Sequence, residues 1–337
     1  MLIGTQNSFH DGLRYILLNI SENFLALRET MQTNQSLALT FQGRTLFRRA
    51  FLTSVAAGLL SVFNPRLAAD TGFASSIADY FDHWHDRVEA AQAAQPDWIT
   101  PLATTTPRLE EEFRYDQNRQ TLKNGTTVDV YDGGKGLELI PTERTEVIIP
   151  LPAYQVRRGT SPASGLNDWP GVLLKYRLFS APKGSGDYIV TLFAQYGLPT
   201  GALVYTNRNH VFTPTLAVGK GFGPFDLQAT VGEAIPTHDN SNSGRSVLTN
   251  LTAQYHIAKY FWPEVELNRT DWTDGSRDAR SQTYLTPGLV VGRFLLGGHS
   301  KFIAGLGYQT FISERYPKSP ATPAFNHNWI LSLRTTF

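Results

Sequence analysis

From about residue 105 to the C-terminus, apolar and polar positions alternate with a period of two. In 224–233, Phe225, Leu227, Ala229 and Val231 share one face, opposite Asp226, Gln228, Thr230 and Gly232. In 247–257, Val247, Leu251, Ala253, Tyr255 and Ile257 alternate with Asn250, Thr252, Gln254 and His256. Val265 and Leu267 are flanked by Glu264, Glu266 and Asn268. The last segment sets Trp329, Leu331, Leu333 and Phe337 against Asn328, Ser332, Arg334 and Thr336. Such alternation marks strands with one apolar face, and by itself would also serve a soluble sheet wet on one side.

The connections separate the two cases. Long polar loops at 157–168, 198–209, 235–245, 271–280 and 313–325 alternate with short turns near 140–144, 181–186, 222–223, 259–260 and 295–298. A transmembrane barrel has this rhythm, with short periplasmic turns at one rim and longer outside loops at the other. The pattern predicts an all-β, antiparallel up-and-down transmembrane β-barrel of about twelve strands: 105–117, 126–139, 145–156, 169–180, 187–197, 210–221, 224–234, 246–258, 261–270, 281–294, 299–312 and 326–337. Crossing a bilayer at barrel tilt takes about 9–11 residues. An even number puts both ends of the barrel on the periplasmic side, where assembly machinery would read the terminal aromatic Phe337. Gly133 and Gly134 mark a bulge or bend. Pro214, Pro263 and Pro287 each remove one ladder donor, which leaves ten strands as the fallback. Trp169, Tyr188, Tyr196, Tyr260, Phe261, Trp262, Phe311, Trp329 and Phe337 fall near strand ends, as interfacial girdles do, although core aromatics would show the same spacing.

Upstream the period changes. Ile77, Tyr80, Phe81, Trp84 and Val88 recur at helical spacing in 77–95, and Pro96 ends the segment. Domain organisation follows: leader and signal peptide at 1–69, a periplasmic helical segment and connector at 70–104, and the barrel at 105–337. Arg48 and Arg49, the apolar run Ala50 to Phe63, and Leu67-Ala68-Ala69 give the three-part signal pattern with cleavage after Ala69. A buried helix of a soluble protein is the other reading of that run. Arg48-Arg49-Ala50-Phe51-Leu52 also resembles a twin-arginine signal, but a barrel crosses the inner membrane unfolded, which favours general secretion. The long basic stretch before it points to initiation at Met31 or later, or to an extended leader.

Composition narrows the chemistry. With 20 Phe, 14 Tyr and 6 Trp in 337 residues, the chain is rich in residues that strands favour. A net charge of +1 supplies no field for nucleic acid. No cysteine is present, so disulfides and thiolate metal sites are excluded. His83, His85 and Asp86 cluster, but histidines two apart on a helix face different ways, so a solvated face accounts for them better than a metal. His210, His238, His256, His299 and His327 could serve as bases, yet no GxSxG-type motif gathers a nucleophile near one. Lys220-Gly221-Phe222-Gly223 lies at a turn and precedes no helix, so it is no phosphate cradle. No catalytic residue, metal or cofactor is expected, and the chain is read as no enzyme. The candidate functional set is the polar face: Asp226, Gln228, Thr252, Gln254, Glu264, Glu266, Asn268 and Arg334 fall to the lumen by parity. Charged rings on a pore wall select solutes by sign; equally, polar residues fill a wet or plugged interior without selecting anything.

Three stretches carry a family likeness: 107–116 (PRLEEEFRYD), 135–141 (KGLELIP) and 260–268 (YFWPEVELN). They resemble the outer-membrane proteins named for the MetA pathway of phenol degradation, over roughly 105–337. The resemblance implies a porin-like or transporter-like barrel, sometimes linked to aromatic or hydrophobic compounds. Phenol itself is not implied. The expected partners are outer-membrane lipid, the barrel-assembly machinery and a small-molecule solute. Three functions stay open: a narrow solute channel with helix 77–95 as plug or gate, lateral uptake of hydrophobic molecules through a barrel closed to water, and a closed barrel bearing a rim enzyme or adhesive surface. A soluble exported all-β protein is the alternative fold.

Overall fold

The computed structural model describes residues 76, 79–132, 135–238, 244–315 and 325–337, excepting the side chains of 313–315. The leader at 1–69, Gly133 and Gly134, and most of the 313–325 loop lie outside the described residues. Two compact units divide the chain, Met1–Asp82 and His83–Phe337. The second holds one helix, α1 (Trp84–Ala93), and fifteen strands in one antiparallel sheet.

The strands are β1 (Glu112–Thr121), β2 (Thr127–Tyr131), β3 (Gly136–Thr142), β4 (Thr145–Ile149), β5 (Tyr154–Arg158), β6 (Ala163–Leu166), β7 (Leu173–Ala181) and β8 (Tyr188–Gly197). Then follow β9 (Val211–Phe222), β10 (Phe225–Pro236), β11 (Ser246–Tyr255), β12 (Phe261–Trp272), β13 (Ser281–Gly297), β14 (Ser300–Arg315) and β15 (His327–Thr336). β15 pairs with β1 from Glu112↔Thr336 to Thr121↔His327, which closes the sheet into a barrel. β1 bonds β3 along its first residues and β2 along its last, so β2 and β3 are halves of one stave. In the same way β4 continues as β5, and β6 as β7. The wall therefore has twelve staves, and the ten-strand fallback is not needed.

Two details differ from the sequence expectation. The first strand begins at Glu112, not at 105, because residues before it turn into the barrel interior. Three early staves are interrupted, at 132–135, 150–153 and 167–172, where Asp132 and Gly136 have φ of 61° and 69° and kink the chain. The three prolines stay inside strands. Around Pro214 the β9–β10 ladder passes from Gly232↔Thr215 to Ile235↔Phe212, and around Pro287 the β13–β14 ladder passes from Leu285↔Thr310 to Gly288↔Gly307. Each of these two prolines sits where a ladder is already open, so its missing donor costs less than it would in a continuous ladder.

The burial is inverted relative to a soluble sheet. The inward face buries charged and polar groups, including Glu146, Lys175, Gln228 and Glu266, all at 0% exposure. The outward face exposes Leu174, Leu192, Leu216, Val231, Leu251, Val265, Leu289 and Leu306. α1 buries Val88 and Ala91 against Leu109 and Ile140, with Trp84 alongside. Of the apolar stripe expected in 77–95, Trp84 and Val88 thus face this cluster, and Ile77 lies outside the described residues. Truncating a buried leucine costs about 2–5 kcal/mol. Leu109→Ala is therefore expected to speed amide hydrogen exchange in 84–96, while exchange in β8 to β12 stays unchanged; uniform acceleration in both would show that α1 has no separate anchor.

Candidate functional site: a plugged barrel interior

Residues 97–111 enter the lumen from the short-turn end and return to it. Polar side chains of the wall hold their backbone throughout. Trp98 marks the way in, where Arg293 donates to its carbonyl at 2.8 Å and pairs with Asp97 at 2.7 Å. Arg334 donates to the carbonyls of Thr100 and Pro101, the latter at 2.9 Å. Arg114 donates to Pro101 O at 3.1 Å and to Leu102 O. The amides of the same turn go to carboxylates: Leu102 N donates to Glu264 Oε1 at 3.0 Å, Ala103 N to Glu266 Oε1 at 2.7 Å, and Thr104 N to Glu266 Oε2 at 2.6 Å. Two guanidinium groups hold the carbonyls and two carboxylates hold the N–H groups of one five-residue turn, 100–104. Charge-assisted bonds of this kind are roughly twice as strong as neutral ones.

The return leg is held the same way. Thr106 Oγ1 donates to Gln228 Oε1 at 2.8 Å, and Thr191 Oγ1 donates to Pro107 O at 2.6 Å. Lys175 Nζ donates to Arg108 O at 3.0 Å and pairs with Glu146 at 2.9 Å, while Glu110 N donates to Glu146 Oε2 at 2.7 Å. Gln95 and Leu109 exchange two bonds, at 2.8 and 2.9 Å, which clasps the two legs together. Apolar contact is concentrated at Leu102, which packs with Ile99, Trp262, Val290 and Ile303. The wall makes room for it with glycine. A Cβ on Gly288, Gly305 or Gly307 would come within 2.5, 2.5 or 2.7 Å of a Leu102 methyl.

Above the plug a set of inward amides bond one another. Asn250 Nδ2 donates to Thr230 at 2.8 Å, and Asn268 Nδ2 to Asn250 at 3.0 Å. Gln309 donates to Asn268 Oδ1 at 3.0 Å, and Asn328 to Asn118 at 3.0 Å. Below, at the short-turn mouth, a cavity of about 190 Å³ is lined by His85, Glu89, Arg108, Arg293, His299 and Phe337. His85 stacks on His299 with ring centres 5.5 Å apart. In the turn before β8, burial pushes the Asp187 carboxyl up, and a hydrogen bond from Trp98 with nearby Lys183 and Lys220 offsets part of that.

The structure places the eight candidate residues as follows. Glu264, Glu266, Gln228 and Arg334 contact the plug backbone or Thr106 directly. Gln254 donates to Glu264 at 2.6 Å and Thr252 to Glu266 at 3.1 Å, so both orient the carboxylates. Asp226 accepts from Gln228 at 3.0 Å. Asn268 belongs to the amide group and reaches Thr104 Oγ1 at 3.3 Å. Sequence reasoning missed Arg114, Glu146, Lys175, Thr191 and Arg293, and the three glycines. Lys175 was within reach: it stands at a polar parity position between outward Leu174 and Tyr176. The histidines meet at most in pairs among the described residues. His210 neighbours Tyr196 and His238, His256 stacks on Trp262, and His327 contacts Thr310. Among the described residues no group of three His, Asp or Glu could hold a metal.

Solved structures with a similar path are barrels of the outer membrane. An outer membrane channel from Pseudomonas putida F1 matches at 13% identity and TM-score 0.48, covering 71% of this chain and all of that one. OmpT, an outer membrane protein of Vibrio cholerae, matches at 10% identity and TM-score 0.28, with 67% and 95% covered. OmpF of Salmonella typhi, in complex with daunomycin, matches at 11% identity and TM-score 0.29, with 67% and 96% covered. No family model and no curated protein matches the chain. With these three TM-scores below 0.5, the barrel rests on the strand pairing above.

Glu266→Ala leaves the buried Thr104 N–H and the part-buried Ala103 N–H without their acceptor, at a cost of about 1–3 kcal/mol for the buried donor. The variant is expected to make 98–106 accessible to protease in detergent while β12 keeps its protection. An unchanged cleavage pattern would mean that the carboxylate does not hold the turn.

Proposed function

We propose that this chain is an outer-membrane channel for small solutes, held closed by its own segment 97–111. One observation carries the reading: a closed barrel with an apolar outside encloses a plug whose backbone is fixed by hydrogen bonds and ion pairs from the wall, beside apolar contacts at Trp98, Ile99, Leu102 and Leu109. Exposed large apolar side chains on ten of the twelve staves fit hydrocarbon and not water. A plug gripped through polar groups differs from a core, because water can take over its bonds when it leaves. Twelve staves lie between the filled eight-stranded barrel and the open channels of 16–18 strands, so the lumen is narrow once cleared. Residues 83–96 with α1 cover the mouth, and 97–111 obstruct the pore. The resemblance of 107–116, 135–141 and 260–268 to the MetA-pathway phenol-degradation proteins supports small aromatic or hydrophobic solutes as cargo.

A second reading has its own observation. On the outer wall, Leu174, Tyr176, Leu192, Ala194, Pro214 and Leu216 border an apolar groove of about 410 Å³ that reaches inward-facing Phe193. It spans β7, β8 and β9 and ends at Pro214, on whose far side the β9–β10 ladder is open. A hydrophobic molecule could pass between lumen and bilayer there. Catalysis has no comparable support.

Two measurements test these readings. In liposome swelling, deletion of 83–106 is expected to admit sugars and small aromatics up to a size limit that the intact chain excludes. Equal exclusion by both, with the variant shown to be folded, would reject the aqueous channel and favour the lateral route. In vesicles, Val265→Arg puts a charge on the outward mid-wall and is expected to cost about 2–4 kcal/mol of folding free energy. A change near zero in reversible unfolding would place that face in water and overturn the membrane reading.

A further inference from the structure

The short-turn rim carries a charge pattern that the pore does not use. Turn 142–145 presents Arg144, turn 181–188 presents Lys183, Lys220 stands outward just before the 222–225 turn, and the 255–261 turn presents Lys259. All four are exposed. Lys301, beside the 297–300 turn, lines the mouth cavity instead. Glu143 is the exposed acid on these four turns; Asp187 is buried and turned toward Trp98. Glu89 and Asp97 lie at the mouth, where His299 and Arg293 take them.

The opposite rim is arranged differently. There the signs are mixed: Arg269 pairs with Asp271 at 2.6 Å, Arg158 pairs with Asp129, and Arg245 lies 4.0 Å from both Glu233 and Asp274, while Lys123, Arg208 and Arg277 stand exposed among Asp168, Asp274 and Asp278. Among the described residues, Arg144, Lys183, Lys220 and Lys259 form no ion pair within 4 Å. Two of them sit against aromatic rings, with Lys220 Nζ 5.8 Å from Phe222 and Lys259 Nζ 5.1 Å from Tyr260. Beside them Tyr188, Phe222, Phe261 and Phe294 are 39–55% exposed. Tyr188 is the cross-strand partner of Lys220.

Cations with no carboxylate within 4 Å, of which Lys220 also donates to the Gly186 carbonyl, stand above a ring of exposed aromatics and match the interface of a leaflet. The aromatic rings lie at headgroup level, and the lysines extend their ammonium groups outward from the apolar wall. We infer that the short-turn rim of this barrel is a binding surface for anionic phospholipid headgroups, with Arg144, Lys183, Lys220 and Lys259 as the phosphate-contacting groups. Four cations spread around one rim fix the depth and tilt of the barrel, which a single patch would not. A Lys or Arg near an anionic surface contributes about 1 kcal/mol, so roughly fivefold per contact. The inference rests on the membrane reading above.

Spin-labelled phosphatidylglycerol and phosphatidylcholine report the lipid at the protein surface. With the full chain in phosphatidylcholine vesicles, the glycerol lipid is expected to be enriched severalfold over the choline lipid, and molar salt should remove the enrichment. Arg144→Gln/Lys183→Gln/Lys220→Gln/Lys259→Gln should bring the ratio near one. If that variant does not fold, Lys183→Gln/Lys259→Gln, confined to turn residues, should lower the ratio at least twofold. Arg245→Gln/Arg269→Gln, at the opposite rim, should leave it unchanged. A ratio of one for the native chain, survival of the ratio in the neutralised variants, or equal loss in the opposite-rim variant each overturns the inference. Failure of the native chain to enter neutral vesicles at all is a different result, because it rejects the membrane reading itself.

Discussion

Everything inside this barrel follows from one requirement: a backbone segment running through a water-poor lumen needs partners for every N–H and C=O. In a regular element these partners are on the backbone. The turn 100–104 is neither helix nor strand, so the wall supplies them from side chains. Glu264 and Glu266 take the amides; Arg114 and Arg334 take the carbonyls. The four charges have opposite signs and flank the same few residues. Each therefore satisfies the backbone and also screens another charge that would be costly to bury alone. Asp116 extends the arrangement, pairing with Arg114 at 2.8 Å.

That requirement also explains where the wall is irregular. Leu102 is the one large apolar group at the plug tip, and the wall opposite it is glycine at three inward positions. Side chains there would displace Leu102 and with it the amide contacts to Glu264. The broken staves lie on the other side of the barrel, where Gly136 kinks the chain between β2 and β3. Glu146 and Lys175, on the staves beside that break, face the return leg. Outside, none of this is visible. Leu174 and Tyr176 flank Lys175 and stay exposed, as a period of two dictates.

The wall was largely legible in the sequence, and the plug was not. A period of two assigns inward and outward faces without knowledge of the partner strand, so Asp226, Gln228 and Glu266 could be placed from their neighbours alone. Turn lengths then ordered the staves. The run Pro107-Arg-Leu-Glu-Glu-Glu looked like the start of a strand because Leu109 stands among charges. Its backbone instead answers residues far along the chain: Glu110 N donates to Glu146, and the Arg108 carbonyl accepts from Lys175. Irregular backbone has no period, and its partners lie up to 234 positions away, as between Thr100 and Arg334. Local pattern holds no trace of such pairings. The glycines of β13 and β14 were equally mute, since Gly305 reads as a weak strand residue until Leu102 is seen against it.

On the proposed channel reading, the same bonding would set how the barrel opens. Pulling 100–104 from the wall exposes two carboxylates and two guanidinium groups together, and each needs water at once or its desolvation cost goes uncompensated. A partial withdrawal that freed Glu266 but left Arg334 engaged would break the balance of charge and cost more than full release. Release and hydration of the lumen are therefore one event, not a gradual widening. Above the turn the amides of Asn250, Asn268, Gln309 and Asn328 bond one another and carry no charge. They lose little when the plug leaves, so the outer half of the barrel keeps its shape while the inner half changes state. Two kinds of chemistry thus meet within one closed sheet: charged groups hold the turn, and amides bond one another above it.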